Sequence, residues 1–145
     1  YAACGFTEID YVLNQESVEN RDFDAIEREM TTIADFCRAH GITDKVIVEM
    51  CKLDGDDAAK RRVCEIALEA KPGFLKTSTG RSFGGAKLED VRLMHEVLGD
   101  AVAIKAAGGI HNYEEACAFI EAGASALGAS AGIAIVDGAP TDERR

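Results

Sequence analysis

Strand-like and helix-like segments alternate along this chain without a break, and that alternation restricts its fold more than any other feature. β-like runs are expected at Thr7 to Leu13, Lys45 to Met50, Phe74 to Ser78, Ala101 to Ala106 and Ser125 to Gly128. Helical patterns fall between them at Asp22 to His40, Asp56 to Ala70, Leu88 to Leu98 and Tyr113 to Ala122. A small-residue segment follows the last strand and ends near Asp137. The punctuation agrees. Gly41 stands where a helix C′ residue belongs, and Pro72-Gly73 separates a helix from the next strand. Strand–helix alternation with short connections predicts a parallel sheet covered by helices.

Side-chain parity then chooses between an open doubly wound sheet and a (β/α)8 barrel. In Lys45 to Glu49, one face carries Lys45, Ile47 and Glu49, and the other carries Val46 and Val48. In Ala101 to Lys105, Val102 and Ile104 face one way, while Ala101, Ala103 and Lys105 face the other. Asp10 likewise lies opposite Ile9 and Tyr11. Each strand has an apolar face suited to helices and a second face that carries charge. A barrel lumen supplies such a face. Eight β/α units need at least ~200 residues, whereas the chain has 145 and shows five strands. The expectation is a TIM (β/α)8 barrel represented by about its last five units, strands four to eight, over residues 1–139. Tyr1 would stand near the end of a helix capped by Gly5, and residues 140–145 would form a frayed tail. A five-strand arc leaves an open edge, which favours association into a homo-oligomer.

Composition narrows the partners. The net charge of -10 repels nucleic-acid phosphates and anionic membranes, so neither is expected as a partner. No apolar run approaches the ~18 residues that span a bilayer, and no secretory leader pattern opens the chain; a cytoplasmic setting is expected. The five cysteines are widely spaced, with no Cys-x-x-Cys pair and no Cys/His cluster to suggest zinc. They are expected to be reduced and mostly buried, with Cys51 near a strand end.

The chemistry gathers at strand ends. Lys76 lies in a strand immediately before Thr77-Ser78-Thr79-Gly80; Lys105 holds the equivalent place on the next strand, before Ala106-Ala107-Gly108-Gly109. An amine attacks a carbonyl only when unprotonated, and an ordinary lysine with pKa ~10.4 is almost wholly charged at neutral pH. Neighbouring strands lie about 4.8 Å apart, and like charges ~4 Å apart at an effective dielectric of ~20 repel by about 4 kcal/mol. That repulsion, with desolvation, is large enough to make one amine give up its proton. Asp10 shares the inward face, where it can neutralise a cation or relay protons. Lys45 and Glu49 would extend the charged network as compensating partners. Gly108-Gly109 and Gly128-Ala129-Ser130 fit a phosphate cradle, because barrels often hold phosphate at the loops after strands seven and eight. Arg81 would add positive charge or be solvated. His40 is expected at a helix end, His95 on a helix surface and His111 near the cradle.

Taken together, Glu8-Ile9-Asp10, Val46-Ile47-Val48-Glu49, Lys76 to Gly80, Lys105 to Gly109 and Gly128-Ala129-Ser130 resemble deoxyribose-phosphate aldolase, a class I aldolase family, across nearly the whole chain. Glu89 to Met94 also resembles that family's helix. The resemblance implies Lys76 as Schiff-base nucleophile, Lys105 as the neighbour that lets it lose its proton, and Asp10 as proton relay. It implies phosphate contacts at Gly80, Gly108, Gly109 and Ser130, beside Gly128. The implied reaction is reversible cleavage of 2-deoxy-D-ribose 5-phosphate to D-glyceraldehyde 3-phosphate and acetaldehyde, with no metal or organic cofactor, the imine serving as electron sink. The sequence departs from the pattern at Ala131, where many members carry a second serine, at Met50-Cys51 and at His111. Two other readings stay open: an inactive barrel piece serving only as an association module, and another phosphate-binding barrel enzyme.

Overall fold

The computed structural model describes residues 2–81 and 84–140; the expected tail falls almost wholly outside them. Five strands, β1 (Glu8–Val12), β2 (Thr43–Ile47), β3 (Phe74–Lys76), β4 (Ala103–Ala107) and β5 (Ala126–Gly128), form one parallel sheet in the order β1-β2-β3-β4-β5. The helices are α1 (Gln15–Glu19), α2 (Phe23–Ala39), α3 (Asp57–Ala70), α4 (Leu88–Leu98), α5 (Tyr113–Glu121) and α6 (Gly132–Asp137). Strand order that follows the chain without reversal means every crossover turns the same way. Each helix from α2 onward packs on its sequence neighbour, α2 on α3, α3 on α4, α4 on α5 and α5 on α6. A doubly wound sheet reverses its order and covers both faces; this arc does neither and has the topology of a barrel wall.

Local chemistry sets the boundaries. Asp22, Asp56 and Asn112 are N-caps whose side chains accept from Ala25, Ala59 and Glu115 N–H at 3.0, 3.0 and 2.8 Å. Outward strand residues Val46, Leu75, Ile104 and Ala106 are buried against Ile26, Met30, Val63, Ile66, Val91 and Met94 from the helices. Inward residues of neighbouring strands meet in register: Asp10 opposite Lys45, Ile47 opposite Lys76, and Lys76 opposite Lys105.

Three expectations need correction. The second strand ends at Ile47 rather than Met50, because Glu49 turns the backbone into the left-handed region (φ +66°) and Met50–Leu53 form a 3-10 turn. The third ends at Lys76 rather than Ser78, since hydroxyls take over its pairing. Thr77 Oγ1 accepts from Ala107 N–H at 3.1 Å and Ser78 Oγ donates to Ala107 C=O at 2.6 Å. The five cysteines are free, but only Cys37 and Cys64 are buried. Cys4 is exposed, and Cys51 and Cys117 are half-buried. The short helix α1 has no counterpart in the sequence reading; five residues are too few to show a 3.6-residue period.

Two apolar grooves flank the sheet. One lies beside β1 and α2, with Ile9, Tyr11, Ile33 and Phe36, and the other lies between α5 and α6, with Ile120, Ile135 and Val136. No helix among the described residues is long and apolar enough to cross a membrane.

Candidate active site

The inward face concentrates cations. Lys76 Nζ donates to Asp10 Oδ2 at 2.8 Å and Lys105 Nζ to the same oxygen at 3.0 Å, so the two nitrogens lie within about 6 Å of each other. Lys45 Nζ pairs with Glu8 at 2.6 Å and approaches the other Asp10 oxygen at 3.5 Å. The side chains of Lys76 and Lys105 are only 12% and 18% exposed. Three amines thus share two carboxylates, which leaves one positive charge in excess. At ~6 Å and an effective dielectric of ~20, Lys76 and Lys105 repel by about 3 kcal/mol, and contact with Asp10 more than offsets this for each of them.

Burial alone would raise the Asp10 carboxyl, but hydrogen bonds from Lys76 and Lys105, together with their charges, outweigh it and hold Asp10 at about 2. A carboxyl depressed on folding contributes stability above its unfolded value, near 3.8, and loses it as pH falls toward about 2. Asp10→Asn is therefore expected to lower the melting temperature at neutral pH, with the gap from wild type closing between about pH 4 and pH 2. A gap that stays constant to pH 2 would contradict this role.

Beyond the lysines the strand ends open into a cleft of about 390 Å³. Its walls hold Lys76, Lys105, Gly80, Gly108, Gly109, Gly128 and Ser130, so every residue assigned to the cradle meets the lysine pair in one space. His111 lines the same cleft; Arg81 is exposed outside it. His95 is exposed on α4 as expected, and His40 caps α2, its Nδ1 2.8 Å from Phe36 C=O. The placement of Lys45 as a compensating partner agrees with its pairing, but Glu49 departs from expectation. Its carboxylate turns away from the lysines to Thr79, because the left-handed turn at Glu49 removes it from the strand's inward row.

Sequence reading also missed Gly85. A Cβ there would lie 2.6 Å from both the carbonyl carbon and oxygen of Gly108, while Ala86 N–H donates to Ala107 and Gly108 C=O. The loop after β3 therefore lies directly on the turn after β4, backbone to backbone. Only an unusually high density of glycine (Gly80, Gly84, Gly85) hinted at that approach. Gly85→Ala is expected to destabilise by about 1–3 kcal/mol through overpacking and to distort the Gly108 turn. Chemical denaturation measures the first effect; an unchanged midpoint would show that the loop can move aside at no cost.

Consecutive parallel β/α units, helices on one side and a lysine-bearing cleft at the strand ends define part of a (β/α)8 barrel, seen at the face where such barrels place their sites. No family model matches the chain. Among curated proteins it is 44% identical to the deoxyribose-phosphate aldolase of Thermococcus gammatolerans, over 96% of this chain and 61% of the relative. It is 47% identical to that of Caldanaerobacter subterraneus, over 92% and 57%. Among solved structures, a putative deoxyribose-phosphate aldolase from Coccidioides immitis superposes with TM-score 0.80 at 30% identity, covering 90% of this chain and 51% of that one. The tetrameric deoxyribose phosphate aldolase of Aeropyrum pernix gives 0.80 at 26%, covering 94% and 56%. The chain is related to deoxyribose-phosphate aldolases, and it spans about three-fifths of the length of the curated relatives it matches.

Proposed function

We propose that this chain carries the Schiff-base centre of a class I aldolase acting on 2-deoxy-D-ribose 5-phosphate. The observation that supports this reading most is the meeting of Lys76 and Lys105 on one oxygen of Asp10. Neutral Lys76 attacks the C1 aldehyde, and loss of water leaves an iminium. Asp10, in contact with both lysines, takes the proton of the C3 hydroxyl as the C2–C3 bond breaks and the iminium accepts the electrons. D-Glyceraldehyde 3-phosphate departs, the enamine is protonated at C2, and water releases acetaldehyde and the free amine. Lys105 places a second amine beside Lys76 on the same Asp10 oxygen. Gly80, Gly108, Gly109, Gly128 and Ser130 supply backbone N–H groups and a hydroxyl for the phosphate. The chain would work in the cytoplasm and assemble with further copies, as the Aeropyrum pernix relative does.

Incubation with acetaldehyde and borohydride, followed by peptide mass mapping, tests the proposal. A two-carbon adduct on Lys76 is expected; none anywhere would reject it. The second reading, an association module without turnover, draws on the apolar grooves beside β1 and between α5 and α6, and it predicts that no adduct forms.

A further inference from the structure

Glu49 is a buried acid, 1% exposed, in a backbone conformation that side chains other than glycine seldom adopt (φ +66°, ψ 61°). A buried carboxylate normally meets a cation. Among the described residues this one forms no ion pair, and its strong donors are all on Thr79. Thr79 Oγ1 donates to Oε2 at 2.7 Å, and Thr79 N–H lies 3.2 and 3.3 Å from the two oxygens. Cys51 Sγ, 3.9 Å from Oε1, is a far weaker partner.

What Glu49 holds is informative. Thr79 leads directly into Gly80, whose backbone rests on the next turn: a Cβ on Gly108 would come 2.9 Å from Gly80 Cα. Thr79, Gly80 and Gly108 all line the cleft, whereas Glu49 stands behind that wall. The carboxylate therefore grips the outer side of the loop from which Gly80 points into the cleft. We infer that Glu49 is a positioning residue for the phosphate end of the substrate, fixing Thr79 and through it the Gly80–Gly108 wall. This rests on the aldolase reading above. Such a role acts on phosphate affinity and leaves the lysine chemistry to Lys76, Lys105 and Asp10.

The test reads imine formation without requiring turnover. The chain is titrated with 2-deoxyribose 5-phosphate or with unphosphorylated 2-deoxyribose, reduced with borohydride, and its Lys76 adduct quantified by mass spectrometry. Glu49→Ala is expected to raise the half-saturating concentration of the phosphorylated sugar by about ten-fold, as for a lost charge-assisted hydrogen bond. The value for the unphosphorylated sugar should stay within about two-fold. Glu49→Gln retains one oxygen able to accept from Thr79 and should recover most of the loss. If Glu49→Ala does not fold, Thr79→Val removes the hydroxyl side of the same contact and should give the same contrast between sugars. Equal shifts for both sugars, or none, overturn the inference while the aldolase reading stands. No Lys76 adduct from either sugar in the unsubstituted chain overturns that reading, and this inference with it.

Discussion

Lys76→Ala is expected to abolish the borohydride-trapped adduct and to lower any aldol cleavage by more than about a thousand-fold, the scale seen when a covalent nucleophile is removed. The other amines of the row stand on neighbouring strands, Lys105 on β4 against Asp10 and Lys45 on β2 against Glu8 and Asp10. Lys105→Leu gives the complementary result. It removes the second amine from the Asp10 oxygen that Lys76 also contacts, and trapping at Lys76 near neutral pH is expected to fall. Undiminished labelling in Lys105→Leu at pH 7 would show that Lys76 works without its neighbour.

The largest stability effect is expected far from the cleft. Lys60 on α3 donates to Asp90 on α4 at 2.5 Å and to Asp54 at 3.1 Å, and the Lys60 and Asp90 side chains are each only 4% exposed. Lys87 adds a further ion pair to Asp54. Burial would depress the Lys60 ammonium, but its two carboxylate partners outweigh that and hold it above its ordinary range. Asp54 is held below its ordinary range, chiefly by its hydrogen bond from Lys87. The raised group contributes stability below its unfolded value and loses it only as pH climbs through the folded one. The lowered group contributes above its unfolded value and loses it on acidification. The cluster is accordingly intact across the neutral range. Lys60→Met leaves Asp90 charged and unpaired in the interior, a loss of about 3–5 kcal/mol and roughly 10 °C in Tm. The double variant Lys60→Met, Asp90→Leu should recover much of it, since the stranded charge is what costs. A Tm for Lys60→Met within a few degrees of wild type would mean that water reaches this junction.

The sequence by itself determined the order of elements, the inward and outward faces of the strands, and the gathering of Lys76, Lys105 and the glycine turns at one end of the sheet. Those features follow from short-range rules: side-chain alternation, capping, and strand–helix alternation in a parallel array. Tertiary structure decided where Glu49 and Gly85 act and which buried acid meets Lys60. It also showed that Thr77 and Ser78 secure the end of β4. Each of these depends on contacts between residues about 20 to 30 positions apart. The left-handed backbone at Glu49 turns its carboxylate out of the lysine row and onto Thr79. Patterns along a chain report which face a residue occupies; the contacts it makes there depend on how separate β/α units pack together.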